Sequence, residues 1–218
     1  MKKPKIEAVI FDCDGTLVDS EVLGCQVMWE VAVSHGCQLG RAESIQAFTG
    51  SNMAKSIVLM NAHSPQPMPE NFAVEVRAAM AEKFKQELQE IVGASALLRE
   101  LKLRNIPMAI ATNGPRPKAE LTLGLTGLLP YFQNPDTLFS AYQYDAFKPD
   151  PKLFLLAAEC LKVDPKNCAA IEDSWSGLKA AVDAGMQVFS LVDPQEIHEQ
   201  FDPAPIHLTQ LSQLLDHL

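Results

Sequence analysis

Short apolar runs that stop at polar clusters mark both ends of this 218-residue chain, and a long stretch between them has none. Ile6-Glu7-Ala8-Val9-Ile10-Phe11 predicts a first strand that ends abruptly in Asp12-Cys13-Asp14-Gly15. From Ser20 to about Ile91 the pattern is helical. Glu21 to His35 predicts a helix stopped at Gly36, and Met53 to Asn61 another, followed by the rigid connector Ser64-Pro65-Gln66-Pro67-Met68-Pro69. Phe72, Val76, Met80, Phe84 and Leu88 then recur every four residues, the stripe of a long amphipathic helix begun by Pro69. After Gly93 helices and strands alternate. Strands are expected at Met108–Ala111, Thr137–Ser140, Cys168–Ile171, Gln187–Leu191 and Ile206-His207. Helices are expected from Ala94 to Asn105, from Pro117, from Pro151 to Leu161, after Asp173 to Ala184, and from Thr209.

Strands alternating with helices imply an α/β fold, a parallel sheet covered on both faces. The first strand stands far from its sequel, so the helical block reads as an insertion. Residues 1–17 and 92–218 form the expected α/β core, and 18–91 the inserted helical domain.

Composition narrows the partners. Asp plus Glu number 27 against 18 Lys plus Arg, a net charge of −9. Such a surface repels a polyphosphate backbone, so no nucleic-acid partner is expected. No apolar run approaches the roughly 20 residues of a membrane helix, and Ile6 to Phe11 is too short for a signal-peptide core. Cys13, Cys25, Cys37, Cys160 and Cys168 are odd in number and form no C-x-x-C pair, as expected of free thiols in a reducing, cytoplasmic compartment.

In a parallel sheet the ligand crevice lies outside the carboxyl ends of the strands. Three strands here end in polar clusters: Asp12/Asp14, Thr112/Asn113 and Glu172/Asp173. Polar residues also simply begin loops, but three such clusters brought to one sheet edge, two of them doubly acidic, are poorly explained that way. Two like charges about 4 Å apart cost roughly 4 kcal/mol at an effective dielectric near 20, so the four carboxylates need a cation. Oxygen ligands with no His or Cys nearby select a hard divalent ion, and Mg²⁺ suits a phosphate-handling site. Lys148, in a loop stiffened by Pro149 and Pro151, adds a further positive charge. Two acids on one loop, one ionised and one neutral, can divide nucleophilic and proton-transfer work. Gly15 permits the unusual backbone of the turn, and Thr16 can hydrogen-bond within it.

The string DCDGTLVDS (Asp12 to Ser20) resembles the first motif of the haloacid dehalogenase superfamily. ATNGP resembles its second, Lys148 in FKPDP its third, and IEDSWSGLKAAVDAGM (Ile171 to Met186) its fourth, in the family's order and strand context. The resemblance implies a Rossmann-like core with an α-helical cap that sets specificity. It implies that Asp12 is the nucleophile forming an aspartyl phosphate, and that Asp14 is the acid and then the base, its backbone carbonyl also on Mg²⁺. Thr112, Asn113 and Lys148 would hold the phosphoryl oxygens, and Glu172 and Asp173 would complete the metal shell. Asp14 argues against carbon–halogen cleavage, because dehalogenase members lack it.

The inserted helices resemble the small cap of the branch that holds β-phosphoglucomutase, phosphoglycolate phosphatase and sugar-phosphate phosphatases. The implied partner is a small phosphorylated metabolite, a sugar or sugar-acid phosphate with 6-phosphogluconate among the candidates. The chain would act as a monomer or weak homodimer. Substrate contacts are expected from Glu21, Asn52 and Lys55 in the cap and from Arg116 and Lys118 in the core. Two other readings stand beside the phosphatase: a phosphosugar mutase, and a relative that binds a phosphometabolite without turnover. The mutase keeps a histidine, a Lys-Gly pair and an arginine where this chain has Gly24, Thr49-Gly50 and Met53, which favours one-way hydrolysis. Retention of Asp12, Asp14, Lys148 and Asp173 argues against a binder.

Overall fold

The computed structural model of the chain describes residues 5–49, 51, 53–133, 136–192 and 201–218. Its centre is an all-parallel sheet of β1 (Ala8–Phe11), β2 (Met108–Thr112), β3 (Leu138–Ser140), β4 (Cys168–Glu172), β5 (Gln187–Ser190) and β6 (Ile206–His207). The order across the sheet is β3-β2-β1-β4-β5-β6. The chain therefore runs outward from β1 in one direction, returns, and runs outward in the other. Phe11 of β1 pairs with Ile110 on one side and Ile171 on the other. That register sets the ends of β1, β2 and β4 side by side at the point where the winding reverses, where a crevice opens in such sheets.

Period-two side chains explain how both faces are covered. Val9, Phe11, Ile110, Leu138, Ile171 and Phe189 point to one face, against Leu97, Leu98 and Leu101 of α5 (Ala94–Leu103) and Ala119 and Leu123 of α6 (Arg116–Leu125). The alternate set, Ala8, Ile10, Ala109, Ala111, Ala170 and Val188, packs on Leu153, Phe154 and Ala157 of α8 (Lys152–Leu161) and on Leu178 and Ala181 of α9 (Trp175–Asp183). The second face is rich in alanine, which lets its helices lie close to the strands. A one-turn helix, α7 (Ala141–Tyr144), follows β3. The chain's last helix, expected from Thr209, is a 3-10 helix over Leu211–His217 that buries Leu211 and Leu214.

The chain divides into two compact units, one running to Val18 and resuming at Glu90, the other Asp19–Gln89. The second unit is helical. It holds α1 (Glu21–Ser34), α2 (Arg41–Phe48), α3 (Met53–Ala62) and α4 (Phe72–Glu87) around Cys25, Met28, Ala32, Phe48, Met60, Phe72 and Val76. Helix α4 begins at Phe72, three residues after Pro69, with Asn71 as its cap. Helix α2 has no apolar stripe to announce it, since only Ser44 and Phe48 of its eight residues are buried. Gly24 faces α4, where an added Cβ would touch Met80 at 3.4 Å. Trp29 packs against this unit's core and donates its indole N–H to the Leu39 carbonyl at 3.0 Å.

Candidate active site

The carboxyl ends of β1 and β4 place Asp12 beside Glu172 and Asp173, with one carboxylate oxygen of each of the three within 4.8 Å of the others. Asp12 continues the β1 ladder, its N–H donating to the Ile171 carbonyl at 3.0 Å, so its position follows from strand pairing. Lys148 is buried at 6 % exposure, and its ammonium donates to both Asp12 and Glu172. Glu172 is wholly buried and also accepts from the Ser174 hydroxyl at 3.1 Å. Ser174 in turn caps α9 by accepting from the Gly177 N–H.

These contacts set the electrostatics. Burial pushes the Asp12 carboxyl well above its usual range; Lys148 opposes that, and Glu172 and Asp173 add to it. Burial would lower the Lys148 ammonium, but the Asp12 and Glu172 carboxylates outweigh it and hold it above its ordinary value. A carboxyl raised beside a fully committed lysine marks a cluster short of positive charge. The donors are all oxygen, so a hard divalent cation fits the set.

Two glycines make room for this cluster. Gly15 has φ +83, and a Cβ there would overlap the Asp173 carboxylate. A Cβ on Gly177, in the first turn of α9, would overlap the Glu172 carboxyl group. Gly177→Ala is therefore expected to cost about 1–3 kcal/mol of stability. It should also drive Glu172 off Lys148 and lower turnover. Glu172→Asp in that background shortens the acid by one methylene, so the double variant should turn over faster than Gly177→Ala alone. A double variant no faster than the single one would show that the glycine serves only the helix.

Asn113 acts on Lys148 rather than facing outward. Its Oδ1 accepts the Lys148 N–H at 2.8 Å, and its Nδ2 reaches the Lys148 carbonyl at 3.5 Å. Its side chain thus tethers the lysine loop to the end of β2, a use the sequence reading missed. The Thr112 hydroxyl oxygen accepts from the Gly114 N–H at 3.0 Å, which leaves the hydroxyl proton able to donate. Thr16, expected to bond within its own turn, donates instead to Asp173 at 3.2 Å.

Lys118 and Arg116 share the first turn of α6, yet their side chains part company. Lys118 Nζ lies 2.9 Å from Asp14 Oδ1. Burial works to lower that ammonium, and the Asp14 carboxylate more than offsets it. Arg116, expected at the crevice, is turned away. Its Nη2 donates to both oxygens of Asp136 at 2.9 Å, its Nη1 to the Leu138 carbonyl at 3.1 Å and its Nε to Glu120 at 2.7 Å. Asp136 and Leu138 stand at the entry to β3, opposite its carboxyl end, so the arginine is committed to the wrong end of the strand. Glu21 opens α1 and the exposed Lys55 lies on α3, both in the helical unit. Asn52 and Gly50 lie outside the described residues.

None of the five cysteines is in a disulfide, and all but Cys160 are buried. Among the described residues no helix is long and apolar enough to cross a membrane.

Comparison with known proteins agrees with the geometry. The model for haloacid dehalogenase-like hydrolases matches residues 6–185. The chain is 36% identical to 6-phosphogluconate phosphatase of Escherichia coli over 211 residues, covering 96% of this chain and 93% of that protein. It is 33% identical to a phosphorylated carbohydrates phosphatase of Thermotoga maritima over 182 residues, 84% of this chain and 83% of the other. The crystal structure of a HAD family hydrolase from Deinococcus radiodurans, with phosphate and sodium bound, superposes with a TM-score of 0.77 at 28% identity, covering 98% of this chain and 94% of that one. An acid cluster at the reversal point of a parallel sheet, with its motifs in order and its relatives phosphatases, places this chain in the haloacid dehalogenase-like hydrolase family as a phosphatase.

Proposed function

We propose that this phosphatase hydrolyses small sugar or sugar-acid phosphates, 6-phosphogluconate among them, with Mg²⁺ and through an aspartyl phosphate on Asp12. The observation that carries the reading is the convergence of Asp12, Lys148, Glu172 and Asp173 at the reversal point of the sheet. The relatives named for phosphogluconate and carbohydrate phosphates supply the substrate class.

An Asp12 carboxylate oxygen attacks phosphorus while Asp14 gives a proton to the departing alkoxide, so the alcohol leaves neutral. Lys148 and the Thr112 hydroxyl donate to the phosphoryl oxygens as charge builds on them. Asp14 then takes a proton from the water that attacks the aspartyl phosphate, which releases phosphate and restores Asp12. Asp12, the Asp14 backbone carbonyl, Glu172 and Asp173 are the residues that would hold Mg²⁺, whose chemistry is to neutralise clustered negative charge and polarise the phosphoryl group. Asn113 serves by fixing the Lys148 loop. The helical unit, through Glu21, Asn52 and Lys55, is the part proposed to choose among substrates as a cap.

Phosphate release across a panel of sugar phosphates, sugar-acid phosphates and phosphoglycolate tests this. Turnover is expected on the sugar-acid and sugar phosphates, lost in excess chelator, restored by Mg²⁺ and inhibited by Ca²⁺, whose longer and looser coordination misplaces the reacting groups. Full activity in chelator would remove the metal from the reading. Bisphosphate-dependent isomer interconversion without phosphate release would replace hydrolysis with the mutase reaction.

A further inference from the structure

The Lys118–Asp14 pair is not explained by helix stability. Lys118 stands in the first turn of α6, a turn with no acidic residue, where the helix dipole disfavours a cation. Its side chain is about one-third exposed and reaches Asp14, itself only 22% exposed. The other oxygen of Asp14 lies against Gly114, where an added Cβ would approach it to 3.2 Å. The carboxylate is thus flanked on one side by an ammonium and on the other by a residue without a side chain. Lys148 is shared by Asp12 and Glu172, so Lys118 supplies charge to the remaining member of the loop.

We infer that Lys118 is a positioning residue for the second half-reaction: it holds the Asp14 carboxylate aimed, with its charge compensated, for the water that cleaves the aspartyl phosphate. In that step the water oxygen bonds to phosphorus and the bond from phosphorus to the Asp12 oxygen breaks. Its electron pair returns to Asp12, and one water proton passes to Asp14. The inference rests on the covalent reading above. It differs from a role for Lys118 in gripping an anionic tail of the substrate, because the lysine acts through Asp14 and on every substrate alike.

The test is the amount of phosphoenzyme in acid-quenched steady-state mixtures of wild type, Lys118→Met, Lys118→Arg and Asp14→Asn, with p-nitrophenyl phosphate and with 6-phosphogluconate. With its good leaving group, p-nitrophenyl phosphate needs little acid assistance, so the first step survives in all four proteins. Lys118→Met is expected to accumulate phosphoenzyme on p-nitrophenyl phosphate while kcat falls on both substrates roughly tenfold to a hundredfold, a fraction of what a whole acid–base group supplies. Lys118→Arg should recover most of the rate. Unchanged phosphoenzyme and kcat in Lys118→Met would overturn the inference. So would a rise in KM confined to 6-phosphogluconate, which would make the lysine a substrate contact. Asp14→Asn separates this failure from a deeper one. If it accumulates phosphoenzyme and Lys118→Met does not, only the lysine's role falls; if neither does, the covalent reading falls.

Discussion

Asp12→Asn is expected to lower kcat by at least about a thousandfold while leaving the fold in place. An amide has nearly the volume of the carboxylate and keeps one oxygen for the Lys148 ammonium or a cation, but it cannot attack phosphorus. Its surroundings favour a tolerated change. The backbone N–H of Asp12 is fixed by the Ile171 carbonyl, and burial already pushes the carboxyl toward its neutral form. An uncharged amide thus relieves some of the crowding among Asp12, Glu172 and Asp173. The variant should melt at or slightly above the wild-type temperature and trap no phosphoenzyme. A purified Asp12→Asn protein that kept a tenth of wild-type turnover would falsify the covalent mechanism.

The contrast between what the sequence announced and what it withheld has a physical basis. Asp12, Thr112 and Glu172 were legible because a parallel strand of fixed register carries its last residue to a known edge, and the apolar runs gave those ends away. The inserted helical unit was legible as a change of period. Helix α2 was not, since a helix that buries one serine and one phenylalanine has no stripe. Side-chain direction was also hidden. Arg116 and Lys118 are two residues apart in the same turn, and only the placement of Asp136 and Asp14 shows that one faces the entry to β3 and the other the loop after β1. Asn113 looked like a phosphate donor because it follows Thr112, yet the Lys148 backbone occupies its side chain. Gly177 read as part of a motif, and its reason is the Glu172 carboxyl lying where a Cβ would stand.

Lys148→Met should cost both activity and stability, and the second loss should depend on pH in a stated direction. The methionine fills similar space among Phe154 and its neighbours but leaves Asp12, 8 % exposed, and Glu172, fully buried, without their shared cation. Breaking a buried pair by removing one partner costs about 3–5 kcal/mol when the other stays charged. Removal of the phosphoryl-facing ammonium should lower kcat by at least about a hundredfold as well. The sign of the pH effect follows from Asp12. Its carboxyl is already raised in the folded protein, and loss of Lys148 removes the group that opposes that rise. A carboxyl raised by folding contributes its stability in the acid range and loses it as pH climbs through the folded value. The Lys148 ammonium is raised above its ordinary value, so the wild type keeps its contribution throughout the neutral range. The gap between wild type and variant should therefore be smaller at about pH 5, on the acid side, and widen toward about pH 8. Urea midpoints at the two pH values measure it. A gap that stayed constant, or that narrowed as pH rose, would mean that Lys148 does not hold the acid cluster together by charge.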